Sequence, residues 1–374
     1  MNRHASRTAL RQHGLSLIEL MVGLTVGMLL VAGLSMMFAN ASRSNSEMDK
    51  SVQHIENGRY AMDLLAQEIS LAGFYATVPT RTPSAAVAAC TGTAAFETAL
   101  TTFAGAGTVP PGVQGLTAAE AAALTCLSNH KPATPALVIR RLDTARLTPG
   151  VTASQSGALY VQASHNIADI GNVTYLGTAS YVAKLGTGTT GGDATRFNLR
   201  EIIPANLTPV RRVISRVYYI ARCNICSGAS TDTIPTLKMV EMTAAGFTTF
   251  ALAEGIDRVG FDFGVDTDND GVPDFWYGLN DESGGSASAS HMSATVGWGN
   301  VVSVRVKLVS RTTTPSAGWS DPSTYPIGNA NCSTGATPTC SSLTYAPPTG
   351  ELAFKRRGYS NTIRLQSWAG QRET

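Results

Sequence analysis

The sequence predicts an α+β protein: one long N-terminal helix, apolar in its first half and amphipathic in its second, packed on an antiparallel β-sheet domain. Three observations carry this. An apolar run from Leu15 to Ala39 holds a single charged residue, Glu19. From Asn40 to about Ala72, apolar residues recur at helical spacing. Beyond Ala136 the pattern turns to strand-like runs, and Val302–Leu308 alternates apolar and polar, as an antiparallel strand with one wet face does.

Residues 1–14 are a short basic leader without acids, carrying Arg3, Arg7 and Arg11. Residues 15–39, wound as a helix, rise roughly 37 Å at about 1.5 Å per residue, enough to cross a hydrocarbon core of about 30 Å with some tilt. Basic residues stay on the cytoplasmic side, which puts the N-terminus inside and the rest of the chain outside. A carboxylate in this run costs roughly 2.5–3.5 kcal/mol at a bilayer centre, and such residues are functional by default. No basic residue lies one turn from Glu19, so its partner comes from outside the helix or the acid stays protonated. Two plainer readings compete. Ala39-Asn40-Ala41 offers a secretory cleavage site, but a secretory apolar region is about 7–15 residues long and this one is longer. A plain single-pass anchor explains length and orientation but neither Gly14 nor Glu19.

Residues 40–75 continue as the amphipathic half. Met48, Val52, Ile55, Met62, Leu65 and Ile69 form one stripe, polar residues fill the other faces, and Gly73 is the expected stop. Residues 76–135 are rich in Ala, Thr and Gly and read as a variable loop region with a short helix over Ala118–Leu127. Residues 136–374 form the β-rich head. Its strands are predicted at Ala136–Arg141, Ala158–Ala163, Val210–Ala221, Leu237–Met242, Thr248–Ala253, Arg258–Val265, Val301–Val309 and Thr362–Trp368. Stretches 184–195, 283–300 and 312–349, rich in Gly, Ser and Thr, are predicted loops.

The 374 residues carry a net charge of +2, with 14% charged residues, which gives no electrostatic case for nucleic acid. All six cysteines follow the membrane run, in what the topology makes an oxidising space, so an even count reads as disulfides. Six cysteines allow about 15 pairings; proximity favours Cys90–Cys126, Cys223–Cys226 and Cys332–Cys340. A redox role competes for Cys223-Asn-Ile-Cys226, but that motif wants the start of a helix, and here it follows a strand-like run. Zinc fits poorly, because seven residues separate Cys332 from Cys340.

Asp266-Thr-Asp268-Asn-Asp270-Gly271-Val272-Pro-Asp274 matches the first nine positions of a calcium loop. Calcium takes hard oxygens: three carboxylates from Asp266, Asp268 and Asp270, the Val272 carbonyl, and Asp274 directly or through water. The twelfth position is Tyr277 where an EF-hand needs a bidentate Glu; Asp281 or Glu282 would have to substitute. The loop joins strands, not helices, and a solvated Asp/Asn/Gly hairpin loop explains the same residues. Both readings stay open for this loop; calcium is the one cofactor the sequence offers a site for, and none is certain. For catalysis there is no H-E-x-x-H, G-x-S-x-G or phosphate-binding Gly-Lys motif, and His130, His165 and His291 are scattered in expected loops. No catalytic residue is predicted.

Gly14-Leu15-Ser16-Leu17-Ile18-Glu19-Leu20 resembles the class III signal of type IV prepilins and pseudopilins. That resemblance implies cleavage by prepilin peptidase between Gly14 and Leu15, N-methylation of Leu15, and an assembly role for Glu19, which would neutralise the Leu15 amine of a neighbouring subunit. The usual first mature residue is Phe; here it is Leu. Farther on, a tyrosine-rich strand runs into Cys223 and Cys226. Ile234-Pro-Thr-Leu, Glu254-Gly-Ile-Asp and Phe263-Gly-Val-Asp266 follow, then the Asp-rich loop and a terminal Arg-containing strand. This layout is similar to the PilW family of minor pilins. The resemblance implies a minor pilin of a type IV pilus, acting in assembly or priming at the tip, with motility, adhesion or DNA uptake as roles of the whole system. Its partners would be other minor pilins, the major pilin, prepilin peptidase, the inner-membrane assembly platform and the inner membrane itself. The head would be periplasmic and then extracellular in the pilus. A minor pseudopilin of a type II secretion system, a membrane-anchored periplasmic enzyme, and a tip module binding DNA or a surface stay open as alternatives.

Overall fold

The structure is a computed structural model, and it describes residues 16–76, 78, 82–83, 86–164, 166, 169, 181–202, 205–279, 297–330, 332 and 339–369. In chain order its elements are α1 (Leu17–Ser70), β1 (Thr82–Pro83), α2 (Thr93–Gly105), β2 (Thr108–Val109), β3 (Val113–Leu116), α3 (Ala118–Ala123), β4 (Ala136–Leu142), β5 (Leu159–Gln162), β6 (Val182–Leu185), α4 (Thr190–Arg196), β7 (Arg211–Ala221), β8 (Thr236–Thr243), β9 (Gly246–Glu254), β10 (Ile256–Val265), β11 (Phe275–Gly278), β12 (Val301–Arg311), β13 (Tyr325–Ala330), β14 (Ser341–Tyr345), β15 (Arg356–Arg364) and α5 (Gln366–Ala369). The chain divides into two compact units, Met1–Val52 and Gln53–Thr374.

The first unit, where described, is helix. α1 runs without a break through Ala39-Asn40-Ala41, and its apolar side chains are exposed, Leu17 at 78% and Leu29 at 73%.

In the second unit two sheets are assembled. A four-stranded antiparallel sheet has the order β11-β10-β12-β15. A seven-stranded sheet centres on β7, which pairs with β4, β5 and β8, while β9 pairs with β8. The core lies between them. Phe261 and Phe263 of β10, Val304 and Val306 of β12, and Leu137, Ile139, Tyr218 and Ile220 of the larger sheet form one buried cluster with Leu65 and Ile69 of α1. Burying a side chain of that size stabilises by about 1.5–3 kcal/mol. On the opposite face of the larger sheet, Val138, Val217 and Val240 meet Ala121 of α3 and Leu127. α3 starts where Thr117 and Glu120 cap it reciprocally. The β13–β14 hairpin lies over the outer face of the smaller sheet, with Ile327 and Tyr345 on Val309. A Cβ at Gly278 would come within 1.9 Å of the Asn329 carbonyl oxygen, so only glycine fits there.

The predicted strands from Ala136 to Val309 all form, within a few residues at each end. The differences elsewhere have physical causes. Met48 and Val52 of the expected stripe are exposed, at 62% and 51%; Met62, Leu65 and Ile69 of that stripe are buried, and His54, Gly58 and Ala61 join them on the buried face. Small residues serve this face because the Tyr359 ring comes within 2.5 Å of an ideal Cβ at Gly58. The helix expected over Ala118–Leu127 stops at Ala123. Loops were expected where α2, α4, β13 and β14 form, because Ala, Thr and Gly dominate residues 76–135 and Gly, Ser and Thr dominate 184–195 and 312–349. The last strand covers Arg356–Arg364, not Thr362–Trp368, and α5 follows it. Arg356-Arg-Gly-Tyr-Ser-Asn pairs along β12 as an edge with little burial, so hydropathy does not mark it. Gly73, at φ 74°, ends α1 as expected, and its N–H donates to the Arg140 carbonyl at 3.0 Å.

Candidate functional site

Two places carry the chemistry that the sequence singled out. The first is the head of α1. Glu19 accepts a hydrogen bond from the Ser16 N–H at 3.3 Å, an N-terminal position where a carboxylate offsets the unpaired donors of the first turn. From Leu17 to Ser42 it is the one ionisable side chain. The helix around it is long and apolar enough to cross a membrane, and none of that stretch is buried within the chain. Gly14 and Leu15 lie outside the described residues.

Within the second unit the lower half of α1 is held by polar ties from four strands, β4, β7, β9 and β15. Glu68 Oε1 accepts from Arg216 of β7 at 2.7 Å and from Arg141 of β4 at 3.4 Å. Arg216 also donates to Glu241 of β8 at 2.8 Å. Burial opposes the Arg216 charge, but the Glu68 and Glu241 carboxylates outweigh it and raise its pKa. Tyr359 donates to the Ile55 carbonyl at 3.1 Å, and Asn57 to that of Glu254 at 3.2 Å. Sequence reasoning missed these ties: their partners are 73 to 304 residues apart, and no local pattern marks them.

The second place is the connection between β10 and β11. It joins two antiparallel strands, as expected. Asp266, Asp268 and Asp274 bring one carboxylate oxygen each within 4.8 Å of one another. Asp266 is buried and accepts from the N–H groups of Asn269 at 2.7 Å and Gly271 at 3.0 Å. Asn269 and Gly271, at φ 67° and 81°, give the turn its left-handed residues. Asp274 accepts from the Thr267 hydroxyl and N–H, which hold its carboxyl below the usual carboxylate range. Asp270 takes the Val272 N–H at 2.7 Å. Val272 is 58% exposed. Tyr277 is fully buried and pairs with Phe263 across the sheet, so it adds no ligand at the twelfth position. Asp281 and Glu282 lie outside the described residues. The donors at this loop are hard oxygens of the kind calcium takes, and three of the four expected carboxylates converge.

The remaining candidates read as structural. The bridges are Cys90–Cys126, Cys223–Cys226 and Cys332–Cys340. Cys223–Cys226 follows β7 and precedes a loop, not a helix start. His130 stacks on Tyr219 and shares a hydrogen bond with the Thr134 carbonyl at 2.8 Å, and burial lowers its pKa. His165 and His291 lie outside the described residues. Asp257 is buried among cations: it pairs with Lys131 and with Arg356, whose Nε is 2.8 Å away, and accepts from the Tyr345 hydroxyl at 3.0 Å.

Comparison with known proteins adds two findings. The family model described as the prokaryotic N-terminal methylation motif matches residues 10–35. The model described as type IV pilus-assembly protein W, PilW, matches residues 217–367. Both are consistent with a type IV pilin-like PilW protein. The PilW match opens inside β7 and takes in β8 to β15, with the Asp266 loop and the four-stranded sheet in its middle. The methylation-motif match takes in Gly14, Leu15 and the head of α1 with Glu19. No curated protein and no solved structure matches the chain. The two matches support a type IV pilus-related role for this PilW-like chain, within which it meets other pilus components.

Proposed function

We propose that this PilW-like chain is a minor pilin of a type IV pilus, inserted in the inner membrane with its N-terminus cytoplasmic and its head periplasmic, and later carried out in the pilus. Prepilin peptidase cuts between Gly14 and Leu15, and the new amine of Leu15 is methylated. The subunit then joins other minor pilins and the major pilin on the inner-membrane platform, as part of the complex that primes the tip. Its role is structural and not enzymatic. The observation that carries this reading is Glu19 at the head of an exposed apolar helix, inside the matched methylation motif. A carboxylate there is costly in lipid, and the amine of a neighbouring subunit offsets that cost only after assembly. The description of the family matched over the head favours a pilus over a secretion system.

The test is Glu19→Leu. The variant is expected to insert and be cleaved as the wild type is, yet to be missing from sheared pili, with pilus number reduced. Normal incorporation and normal pilus number would remove the assembly role.

A further inference from the structure

The two large sheets have five edges. β3, β6 and β11 are each four residues long, too short to template much pairing. β15 has nine residues but carries Arg356, Arg357 and Arg364. Short edges and charged edges are how proteins keep strangers from adding a strand. β9 has neither protection. It is nine residues long, among the described residues pairs only with β8, and has no charged residue from Gly246 to Ala253. Five consecutive residues, Phe247 to Ala251, are exposed, with Phe247 at 38% and Phe250 at 44%. Successive side chains leave opposite faces of a strand, so each face offers one phenylalanine. Beyond Ala251 the register with β8 shifts, which ends the regular part of the edge.

We propose that Phe247–Ala251 is a self-docking edge, where a second copy of the chain adds its own β9 antiparallel across a two-fold axis at Thr249. The occupant follows from the side chains. A two-fold axis perpendicular to the sheet keeps like faces together and sets Phe247 opposite Ala251, Thr248 opposite Phe250, and Thr249 opposite itself. Large meets small on one face, and a β-branched residue meets an aromatic on the other. The Thr248–Phe250 pairs, β-branched with aromatic, and Thr249 with itself are favourable cross-strand pairs, and Ala251 leaves the Phe247 ring room. No like charges face each other in this register, and Glu254, the one acid on β9 itself, lies beyond the paired segment. The paired segment is the same five residues that stand exposed. Such an interface is isologous and closes as a dimer.

The symmetry supplies the test. Thr249 is exposed and meets its own copy, so Thr249→Lys alone sets cation against cation, and Thr249→Glu sets anion against anion. The full chain in detergent micelles is measured by native mass spectrometry or sedimentation velocity. Wild type is expected to dimerise, each single variant to be monomeric, and an equimolar mixture of the two variants to recover a dimer containing one copy of each. Wild type that stays monomeric overturns the proposal. A dimer that survives both single variants is held elsewhere, through the membrane helix for example, and also overturns it. So does a mixture that fails to recover the dimer, since the two-fold register requires Thr249 to meet itself. Recovery in the mixture also separates loss of pairing from loss of folding.

Discussion

Glu68→Ala tests whether α1 is fixed to the sheets by its buried ion cluster or by apolar contact alone. Glu68 is 16% exposed, Arg216 18% and Arg141 8%. Removing one partner of a buried ion pair costs about 3–5 kcal/mol when the remaining charge is left alone. Here Arg216 keeps Glu241 at 2.8 Å, so the larger part of its compensation survives, while Arg141 loses its carboxylate. The expected cost is therefore below that range, about 2–3 kcal/mol. At about 2–4 °C per kcal/mol for a domain of 150–250 residues, and no more for this larger one, melting should fall by at most about 4–12 °C. Thermal unfolding of the full chain in detergent, followed by circular dichroism, reads this. Glu68→Gln, which keeps an acceptor but not the charge, should fall between. Adding Arg216→Ala to Glu68→Ala should cost less than the sum of the two, because they share one interaction. A fall below about 1 °C for Glu68→Ala would refute the reasoning and leave the attachment to apolar contact and to the Tyr359 and Asn57 hydrogen bonds.

Two further expectations concern acid and calcium. Burial opposes the Asp257 charge, but Lys131, Arg311 and Arg356 hold its carboxyl well below the ordinary value; its stabilisation is therefore present above the unfolded value of about 4 and is lost as pH falls toward the folded one. Asp257→Asn should be less stable than wild type at pH 7 and lose less on acidification, and acid limbs of equal slope in the two proteins would contradict this. At the β10–β11 connection, calcium is the ion the convergent carboxylates of Asp266, Asp268 and Asp274 would take. Wild type should melt higher in millimolar calcium than in chelator, by the equivalent of about 2.7 kcal/mol at a hundredfold excess over the dissociation constant. Magnesium should do less, and Asp268→Ala should abolish the shift. Equal curves for wild type in calcium and chelator would return the loop to a solvated hairpin connection.

Much of the fold was legible because burial and periodicity agree in it. Val302–Leu308 alternates and forms the interior of β12, with Val304 and Val306 in the core and Arg305 and Lys307 half-buried on the other face. The apolar head of α1 reads directly from composition, as does Gly73 at its end. What escaped was structure whose cause lies far along the chain. α2 is a helix rich in Thr and Ala whose Phe96 and Leu100 lie in the core, packed beside β6, which follows it by about eighty residues. β15 is nearly all polar and forms because β12 offers it an edge. Gly58 reads as a weak point in a helix, yet it is where Tyr359 comes close. At the acidic loop, the turn was legible from Asn269 and Gly271. The departure of Asp270 from the converging carboxylates was not, since it depends on which N–H each oxygen takes.

The central claim is that this chain enters the membrane as a prepilin, and the mature N-terminus tests it most directly. Mass spectrometry of the protein recovered from membranes or pili should find a first residue of Leu15 with a methylated amine. Gly14→Val should leave the longer precursor in the membrane fraction. A mature terminus after Ala41, or an uncut chain in wild type, would contradict the account.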